Sequence, residues 1–484
     1  MRSGRVIQVW LMCVLLGGIA LAVPRAASSQ AEDAAPVVSS VMEPMLVDQL
    51  IVKYRDEGKN EAFAPLSEQL ERLSAHIGLA VEYVRPMGGG AHVLRLPSSL
   101  PVKEAERIAA HLSALPEIEY AEPDYVLHPA LVPNDPRYGD QWHYFEPHGI
   151  NLPQAWDVTI GITSVVVAVI DTGHRPHPDL ASRIVGGYDF ISIPSRAGDG
   201  DGRDPDPTDP GDWVSAGECY AGSPARNSSW HGTHVAGTIG AVTNNGTGVA
   251  GVTWRGRLLS VRVLGKCGGS LADIVDGIYW SAGLSVPGVP MNTNPARVLN
   301  LSLGGPSPSC STSLQAAISA VNAVGAVVVV AAGNSNQPAS DFQPANCAGV
   351  ITVGATNRNG VRTWYSNYGA AVDISAPGGD SLGAVLSTGN AGSTAPGADN
   401  YQGKIGTSMA APHVAGTVAL MLSVKPSLNY ALAEQLLRAT AKPFGSGHSC
   451  TGSTTCGAGI VNAHAAVLAA QRFAPRGFLP VVRR

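Results

Sequence analysis

The segment "GTSMAAPHVAG", residues 406–416, places a serine just before an apolar helical stretch. Ser408 follows a glycine and a threonine, and Pro412 comes four residues later, which suits the first turn of a helix. A serine there can act as a helix N-cap. It can equally be a nucleophile, held where the N–H groups of a helix start favour developing negative charge. A nucleophilic serine needs a base and an orienting acid, so the rest of the chain decides between these roles.

Three other stretches carry groups of the required types. Asp171 follows the apolar run "VVVAVI", His231 opens the small-residue stretch "HGTHVAGTIG", and Asn334 follows "VVVVAAG". Taken singly, an aspartate or asparagine after a strand is more often a turn former, and a lone histidine is more often structural. Taken together with Ser408, they supply an acid, a base, an amide donor and a nucleophile.

The surrounding elements explain how such residues could meet. Five apolar runs rich in Val, Ile and Leu read as strands covered on both faces: "SVVVAVIDTG", "RLLSVRVLG", "ARVLNLSLGG", "GAVVVVAAGN" and "VITVGAT". The helical patterns "SLADIVDGIYWSAG" and "STSLQAAISAVNAVG" lie between them. This alternation predicts an α/β fold with a doubly wound, mostly parallel sheet. Catalytic groups of such folds gather at the carboxyl ends of the strands.

A smaller unit precedes this sheet. Residues 45–128 show the order β-α-β-β-α-β, with "AVEYVRP" and "AHVLRLP" flanking "MGGG" as a hairpin. That order predicts a ferredoxin-like α+β domain.

The three catalytic stretches resemble a known family. "VIDTGHRPHPDL", "HGTHVAGT" and "GTSMAAPHVAG", in that order, look like the signature blocks of the subtilases, the subtilisin-like serine proteases, and the resemblance spans about residues 135–470. It implies a subtilisin-like fold, a triad in the chain order known from subtilisin, and an oxyanion donor; these residues are Asp171, His231, Ser408 and Asn334. By the same resemblance His234 and His413 are structural.

The resemblance also implies a substrate groove and a structural metal. The groove residues are Gly268, Gly269, Ser302, Leu303, Gly304, Gly305, Ala331, Ala332 and Gly333. These residues imply one roomy apolar pocket and broad specificity, with large apolar or aromatic substrate side chains favoured. The alternative is that the glycines are ordinary turn residues. The family's tight calcium site matches Gln141, Asp179, Val242, Asn245, Thr247 and Val249, with Asn244 as an alternative to Asn245.

A second calcium hypothesis rests on composition alone. The stretch "GDGDGRDPDPTDPGD" alternates aspartate with turn residues, and oxygen-rich, tight-turning loops suit calcium. Its candidate ligands are Asp199, Asp201, Asp204, Asp206 and Asp209. The alternative is a solvated acidic loop. No pattern indicates an organic cofactor.

The bulk properties set the context. The chain has 484 residues with a net charge of −5, which argues against nucleic acid as a partner. Residues 1–30 read as a secretory signal peptide, with "MRSGR" before the apolar run. The six cysteines beyond it predict disulfides in a secreted protein, with fifteen possible connectivities. We expect sequential pairing: Cys219 with Cys267, Cys310 with Cys347, and Cys450 with Cys456.

These observations predict a secreted, monomeric serine endopeptidase made as a precursor. The predicted segments are the signal peptide, an inhibitory propeptide over residues 31–132, the peptidase domain over 133–471, and a short tail over 472–484. Its partners would be protein and peptide substrates and its own propeptide, with no nucleic acid and no membrane. Three alternatives remain: an esterase, although "GTSMA" is not a G-x-S-x-G elbow; a catalytically inactive binding protein on this scaffold; and a structural secreted protein.

Overall fold

The computed structural model describes residues 46–55, 67–125, 131–447 and 449–473. The predicted signal peptide and almost all of the predicted C-terminal tail lie outside the described residues. The chain divides between His128 and Pro129 into two compact units.

The N-terminal unit has the predicted β-α-β-β-α-β order. Its strands form an antiparallel sheet in the order β2-β3-β1-β4. The helices bury their apolar residues, such as Leu73 and Ile108, in one core with Leu50 and Leu94 of the sheet. The ferredoxin-like prediction is therefore confirmed. The elements are β1 (Leu46–Tyr54), α1 (Ser67–Ile77), β2 (Glu82–Pro86), β3 (Ala91–Pro101), α2 (Val102–Ser113) and β4 (Ile118–Pro123).

The second unit is built on a parallel sheet of seven strands in the order β13-β12-β10-β8-β5-β7-β6. The five strands predicted from apolar runs are β5, β7, β8, β10 and β12, so the α/β prediction is confirmed. The strands of this unit are β5 (Val166–Asp171), β6 (Ile184–Asp189), β7 (Arg257–Arg262), β8 (Val298–Leu301), β9 (Gly305–Pro306), β10 (Val327–Ala331), β11 (Phe342–Gln343), β12 (Val350–Thr356), β13 (Ile374–Pro377), β14 (Val385–Asn390) and β15 (Asp399–Lys404).

Helices cover both faces of this sheet. Alternate residues of β5 enter two different cores, since Val167 and Val169 pack with α6 and α9 while Ala168 and Ile170 pack with α7 and α8. Each valine or isoleucine buried in this way stabilises the fold by about 1.5–3 kcal/mol. The helices are α3 (Trp142–Phe145), α4 (Leu152–Trp156), α5 (Pro194–Ala197), α6 (His231–Gly240), α7 (Leu271–Ser281), α8 (Thr312–Ala323), α9 (Thr407–Val424), α10 (Tyr430–Ala439) and α11 (Ala463–Arg472).

Helix α9 is the most apolar of these elements. Its length and hydropathy would allow it to cross a membrane, but 83% of it is buried inside the protein, as in the core helix of a folded domain. It packs on α6 and on strands β8, β10 and β12. The catalytic stretches therefore meet across the middle of the sheet.

The chain after α10 covers the β13 edge of the sheet. Ser375 of β13 donates its N–H to the Gly459 carbonyl and accepts from the Val461 N–H, at 2.8 and 2.9 Å. Ile460 also pairs with Lys442 on its other side. The three disulfides, Cys219–Cys267, Cys310–Cys347 and Cys450–Cys456, follow the predicted sequential pairing, and the last closes a loop just before this covering segment.

Candidate active site

Ser408 does not cap its helix. Helix α9 begins at Thr407, and its N-cap position is Gly406, whose φ of 151° lies in a region that favours glycine. The Ser408 hydroxyl instead donates to the carbonyl oxygen of Ser302, at 3.1 Å. The capping alternative is therefore wrong, and the side chain points out of the helix toward the "SLGG" segment.

Pro412 lies deeper in α9 than the sequence suggested. It is inside the helix rather than in its first turn, and it has no N–H to donate to the carbonyl of Ser408 one turn earlier. The hydroxyl of Ser302 donates to that carbonyl instead, at 2.9 Å. Ser302 and Ser408 therefore exchange two hydrogen bonds, which fix the start of α9 against the end of β8.

The candidate acid and base come from β5 and α6. Asp171 is the last residue of β5 and is fully buried, whereas His231 is the first residue of α6. The Nδ1 atom of His231 lies 2.8 and 2.9 Å from the two carboxylate oxygens of Asp171. Because Nδ1 faces the carboxylate, Nε2 is the nitrogen that can exchange a proton with a substrate or nucleophile.

The environment raises the pKa of His231. Burial alone would lower it, but the charge of Asp171 and the hydrogen bond to it raise the pKa above the ordinary value of 6.5. Asp212 acts in the same direction and Lys404 in the opposite one. The imidazolium that forms during general base catalysis is therefore stabilised.

Asn334 is oriented as an amide donor. Its Oδ1 accepts from the backbone N–H and from the hydroxyl of Thr407, both at 2.9 Å. Since a backbone N–H can only donate, the atom facing it is the carbonyl oxygen, and Nδ2 is the group available to a ligand. Asn334 and Ser408 line the same cavity.

The predicted groove residues line two adjoining cavities. The first, of about 300 Å³, contains Ser408 and Asn334. Its predicted lining residues are Ser302, Leu303, Gly304, Gly305, Ala331, Ala332 and Gly333. Phe342 and Gln343 also line it and were not predicted.

Gly268 and Gly269 line a separate cavity of about 420 Å³. Leu303, Gly304 and Gly305 separate the two cavities and contribute to both. Gly268 and Gly269 therefore line the adjoining cavity and not the one that contains Ser408. Apolar side chains missed by sequence reasoning complete the second cavity: Leu264, Leu271, Ile274, Leu301 and Leu314.

Comparison with known proteins agrees with this geometry. The sequence profile of the subtilase family matches residues 163–462, which contain all four catalytic candidates. The chain belongs to the subtilase family. Its fold is subtilisin-like, and its second unit is that of a serine endopeptidase.

Individual subtilases resemble the chain over most of its length. It is 50% identical over 394 residues to an extracellular protease of Xanthomonas campestris pv. campestris, covering 81% of this chain and 66% of the relative. It is 42% identical over 431 residues to an extracellular basic protease of Dichelobacter nodosus, covering 87% and 70%. The chain therefore spans about two thirds of the length of these relatives. A solved protease of Pseudoalteromonas arctica superposes with a TM-score of 0.67 at 53% identity, covering 70% of this chain and 100% of that one.

The other two histidines of the subtilase motifs are structural, as predicted. His234 is buried, and its Nε2 lies 3.1 and 2.9 Å from the carbonyl oxygens of Val385 and Gln402. Burial lowers the pKa of His234 to about 3. His413 donates from Nδ1 to the Met409 carbonyl, at 2.8 Å, and its Nε2 faces Nδ1 of His143.

The first calcium candidate differs from the prediction in one ligand. Gln141 bonds the backbone of Ala250, donating to its carbonyl and accepting from its N–H, both at 2.8 Å. It therefore braces this loop, and the ligand role predicted for it has no support in the geometry. Asp179 faces the predicted loop, since its carboxylate accepts from the Asn245 amide and from the Val249 N–H.

Asp135 is the residue that sequence reasoning missed at this site. It is buried, and burial together with repulsion from Asp179 raises the pKa of its carboxyl group. One carboxylate oxygen accepts from the Asn244 N–H at 2.7 Å, whereas the other has no partner among the described residues. Two buried carboxylates and one unpartnered oxygen fit a cation. The motif "PNDP" at the start of the predicted peptidase domain was the available signal.

The structure separates Asp209 from the other aspartates of the acidic loop. Asp199 and Asp204 lie with Asp189 in a cluster whose carboxylate oxygens are within 4.8 Å of one another, and Asp189, at the end of β6, was not predicted. Arg262 donates to both Asp189 and Asp199, so part of the negative charge there is already neutralised. Asp201 and Asp206 line an open cavity of about 520 Å³ together with Asp199 and Asp204. Asp209 is buried elsewhere and bonds Thr172, so its predicted role as a ligand is not supported.

Proposed function

We propose that this subtilase is an extracellular endopeptidase that hydrolyses protein substrates through an acyl-enzyme on Ser408. The observation that carries the proposal is that Asp171 and His231 pair at the carboxyl end of β5, while Asn334 and Ser408 line one cavity at the carboxyl ends of the neighbouring strands β8 and β10. The names of the relatives, extracellular proteases of two bacteria, support release from the cell.

Each residue then has a defined step. The Ser408 oxygen attacks the scissile carbonyl carbon, while its proton passes to Nε2 of His231. The carbonyl oxygen becomes an oxyanion, which the Asn334 Nδ2–H and the Ser408 N–H stabilise. When the C–N bond breaks, His231 gives the proton to the leaving amine. Water then hydrolyses the ester in the same way, and Asp171 holds the imidazole throughout.

We propose that the two cavities bind substrate side chains. The cavity of about 300 Å³ beside Ser408 accepts the residue before the scissile bond, and Phe342 and Ala331 favour a large apolar or aromatic side chain there. The leucine-lined cavity accepts a second apolar side chain of the extended substrate. Cleavage-site profiling of a peptide library would contradict this proposal if basic or acidic residues were preferred at both positions.

We also propose that the chain is an autoprocessed zymogen with the segments predicted above. The ferredoxin-like unit of residues 46–125 matches the inhibitory propeptide expected from the resemblance. The expected cut, near His128 to Pro133, falls partly outside the described residues. A Ser408→Ala precursor that still matured in isolation would refute self-cleavage.

A structural calcium ion completes the proposal. The residues that would hold it are Asp135, Asp179 and Asn245, with the carbonyl groups of Val242, Thr247 and Val249. When bound, it would neutralise the repulsion between the two buried carboxylates. The cluster of Asp189, Asp199 and Asp204 is a second candidate, weakened by the competing cation of Arg262.

The first experiment is hydrolysis of casein by the secreted protein, comparing the wild type with Ser408→Ala and with wild type treated with a fluorophosphonate. We expect activity to disappear in the variant and in the treated enzyme, with the fluorophosphonate bound covalently at Ser408. A folded, processed wild type without activity would instead favour an inactive scaffold.

A further inference from the structure

One buried hydroxyl connects the two elements that carry the catalytic acid and base. Thr172 directly follows Asp171, and its hydroxyl oxygen accepts the N–H of Gly232, the residue after His231, at 3.0 Å. The backbone N–H of Thr172 donates to the Asp171 carboxylate at 2.7 Å. A single residue therefore contacts both sides of the Asp171–His231 pair.

The close approach of the two elements depends on glycine. A Cβ atom at Gly232 would lie 2.1 Å from the Gly173 carbonyl oxygen and 3.2 Å from Cβ of Asp171. The Gly232 N–H is also one of the first N–H groups of α6, which have no partner within the helix. The Thr172 hydroxyl supplies that partner and so ties the start of α6 to the end of β5.

Asp209 of the acidic loop fixes the orientation of the Thr172 hydroxyl. Its carboxylate accepts the Thr172 hydroxyl hydrogen at 2.8 Å, so a lone pair of the oxygen is left to face Gly232. Asp209 is 1% exposed, and its second oxygen accepts from the Gly211 N–H at 2.8 Å. Its own backbone is fixed by an N–H donated to the His174 carbonyl at 2.9 Å.

The same loop reaches the other side of His231. Asp212 accepts from the hydroxyl of Ser229 at 2.8 Å, and the Ser229 oxygen accepts from the His231 N–H at 3.3 Å. Asp209 and Asp212 therefore support, through one hydroxyl each, the two backbone N–H groups that begin α6.

We infer that Thr172 and Asp209 are positioning residues for catalysis, which hold the Asp171 carboxylate and the His231 imidazole in register. This inference rests on the proposed catalytic roles of Asp171, His231 and Ser408. The end of the acidic loop would then contribute to the reaction by positioning the catalytic pair and not by binding a cation. Asp209 touches neither substrate nor reacting atoms and acts only through Thr172.

The inference predicts a kinetic signature that loss of stability would not produce. When Thr172 no longer fixes Asp171, the carboxylate stabilises the imidazolium less, so turnover falls and His231 loses its proton at lower pH. The charged groups that act on His231 are Asp171, Asp212 and Lys404, and none of these is altered by a change at Thr172. The substrate cavities are also untouched, so KM is expected to stay constant.

The test compares Thr172→Val, which keeps the shape and removes the hydroxyl, with Thr172→Ser, which keeps the hydroxyl. Thr208→Val is the matched control, because that hydroxyl bonds Asp206 in the same loop without contacting the catalytic pair. Each processed enzyme is titrated with a fluorophosphonate so that kcat refers to active molecules. We expect Thr172→Val to lower kcat about ten- to a hundred-fold, to leave KM within two-fold, and to shift the acidic limb of kcat/KM to lower pH. Thr172→Ser is expected to restore most of kcat, and Thr208→Val to behave as wild type.

Two results would overturn the inference. One is a wild-type kcat and pH profile in Thr172→Val; the other is an equal loss in Thr208→Val. If Thr172→Val does not fold, Asp209→Asn provides the same comparison, because Thr172 and Gly211 donate to different oxygens of the carboxylate and an amide keeps only one of these two acceptors. Failure of the proposed function is distinguishable, because it would appear as full activity in Ser408→Ala.

Discussion

The carboxyl ends of the central strands, which we call the catalytic edge, and the acidic loop differ in how their side chains are held. At the edge, Asp171 and His231 end a strand and begin a helix, and Ser408 lies in the first turn of another helix. In the acidic loop, the carboxylates of Asp199 and Asp206 are held by side chains such as Arg262 and Thr208. Regular elements therefore fix the catalytic candidates directly, whereas the loop carboxylates depend on hydrogen bonds and ion pairs to other side chains.

The largest expected effect is the loss of kcat when a residue of the catalytic edge is removed. In subtilisin, removal of the catalytic serine or histidine costs about a million-fold in kcat, and the residues act as a unit. We expect a similar loss for His231→Ala, with the double variant His231→Ala/Ser408→Ala no worse than either single one. Single-turnover assays on a peptide ester measure this; additive losses would mean that the two residues do not act together.

Asn334→Asp separates catalysis from stability at the same edge. It keeps the oxygen that accepts from Thr407 and removes the amide donor. In subtilisin, loss of such a donor costs about a hundred- to a thousand-fold in kcat. We expect a loss of that size with KM little changed, and a melting temperature within a few degrees of wild type. Unchanged turnover would remove Asn334 from the mechanism.

Calcium removal probes the loops. A ligand present at a hundred times its Kd stabilises a folded protein by about 2.7 kcal/mol, which corresponds to about 3–5 °C in a domain of this size. We expect a chelator to lower the melting temperature of the Ser408→Ala variant, in which autolysis is absent, by about that amount. Asp135→Asn is expected to abolish most of the response, whereas Gln141→Met, which removes the amide oxygen, is expected to leave the response intact. The opposite pattern would restore Gln141 as the ligand.

A pH profile gives a smaller and more specific effect. The base must be neutral, and Asp171 raises the pKa of His231 above 6.5, so kcat/KM is expected to fall on acidification with a midpoint above pH 6.5. Lys404 lowers the same pKa, and Lys404→Gln is therefore expected to move the midpoint to higher pH. Profiles between pH 5 and 10 measure both, and a midpoint below 6.5 would contradict the assigned electrostatics.

The smallest effect is expected for Asp204→Asn. Arg262 already bonds Asp189 and Asp199, the neighbours of Asp204, and neutralises part of their charge, so a cation there would add little, at most about 1 kcal/mol or 1–2 °C. Melting curves in calcium and in chelator, again in the Ser408→Ala background, test this. A loss as large as that of Asp135→Asn would show that the acidic loop is a strong calcium site.

The sequence predicted the fold, and the elements that carry Asp171 and His231, because both depend on local pattern. Val166 to Ile170 are apolar without interruption, which indicates a central strand, and Asp171 directly follows. The small residues after His231 allow α6 to pack closely, and Gly232 shows why larger ones would not fit. These signals require no knowledge of distant contacts.

The remaining features depend on contacts between distant segments. Asp135 and Asp179 are far apart in the chain, and only the fold shows that they repel each other. Asp189 looks like an ordinary strand end until Asp199 and Asp204 lie beside it. Gln141 was assigned by resemblance, and the nearby Ala250 backbone takes both ends of its amide. Neither periodicity nor motif spacing contains this information.

The segment around Ile460 determines whether another chain can add to the outer strand of the sheet. An uncovered terminal strand offers a row of N–H and C=O groups that can template the addition of another chain. Here Ser375 of β13 already bonds the residues on either side of Ile460, and Lys442 pairs with Ile460 beyond them. A protease that works among partly unfolded polypeptides meets extended chains constantly. The covering segment occupies the outer side of β13, so an extended chain cannot add to the sheet there.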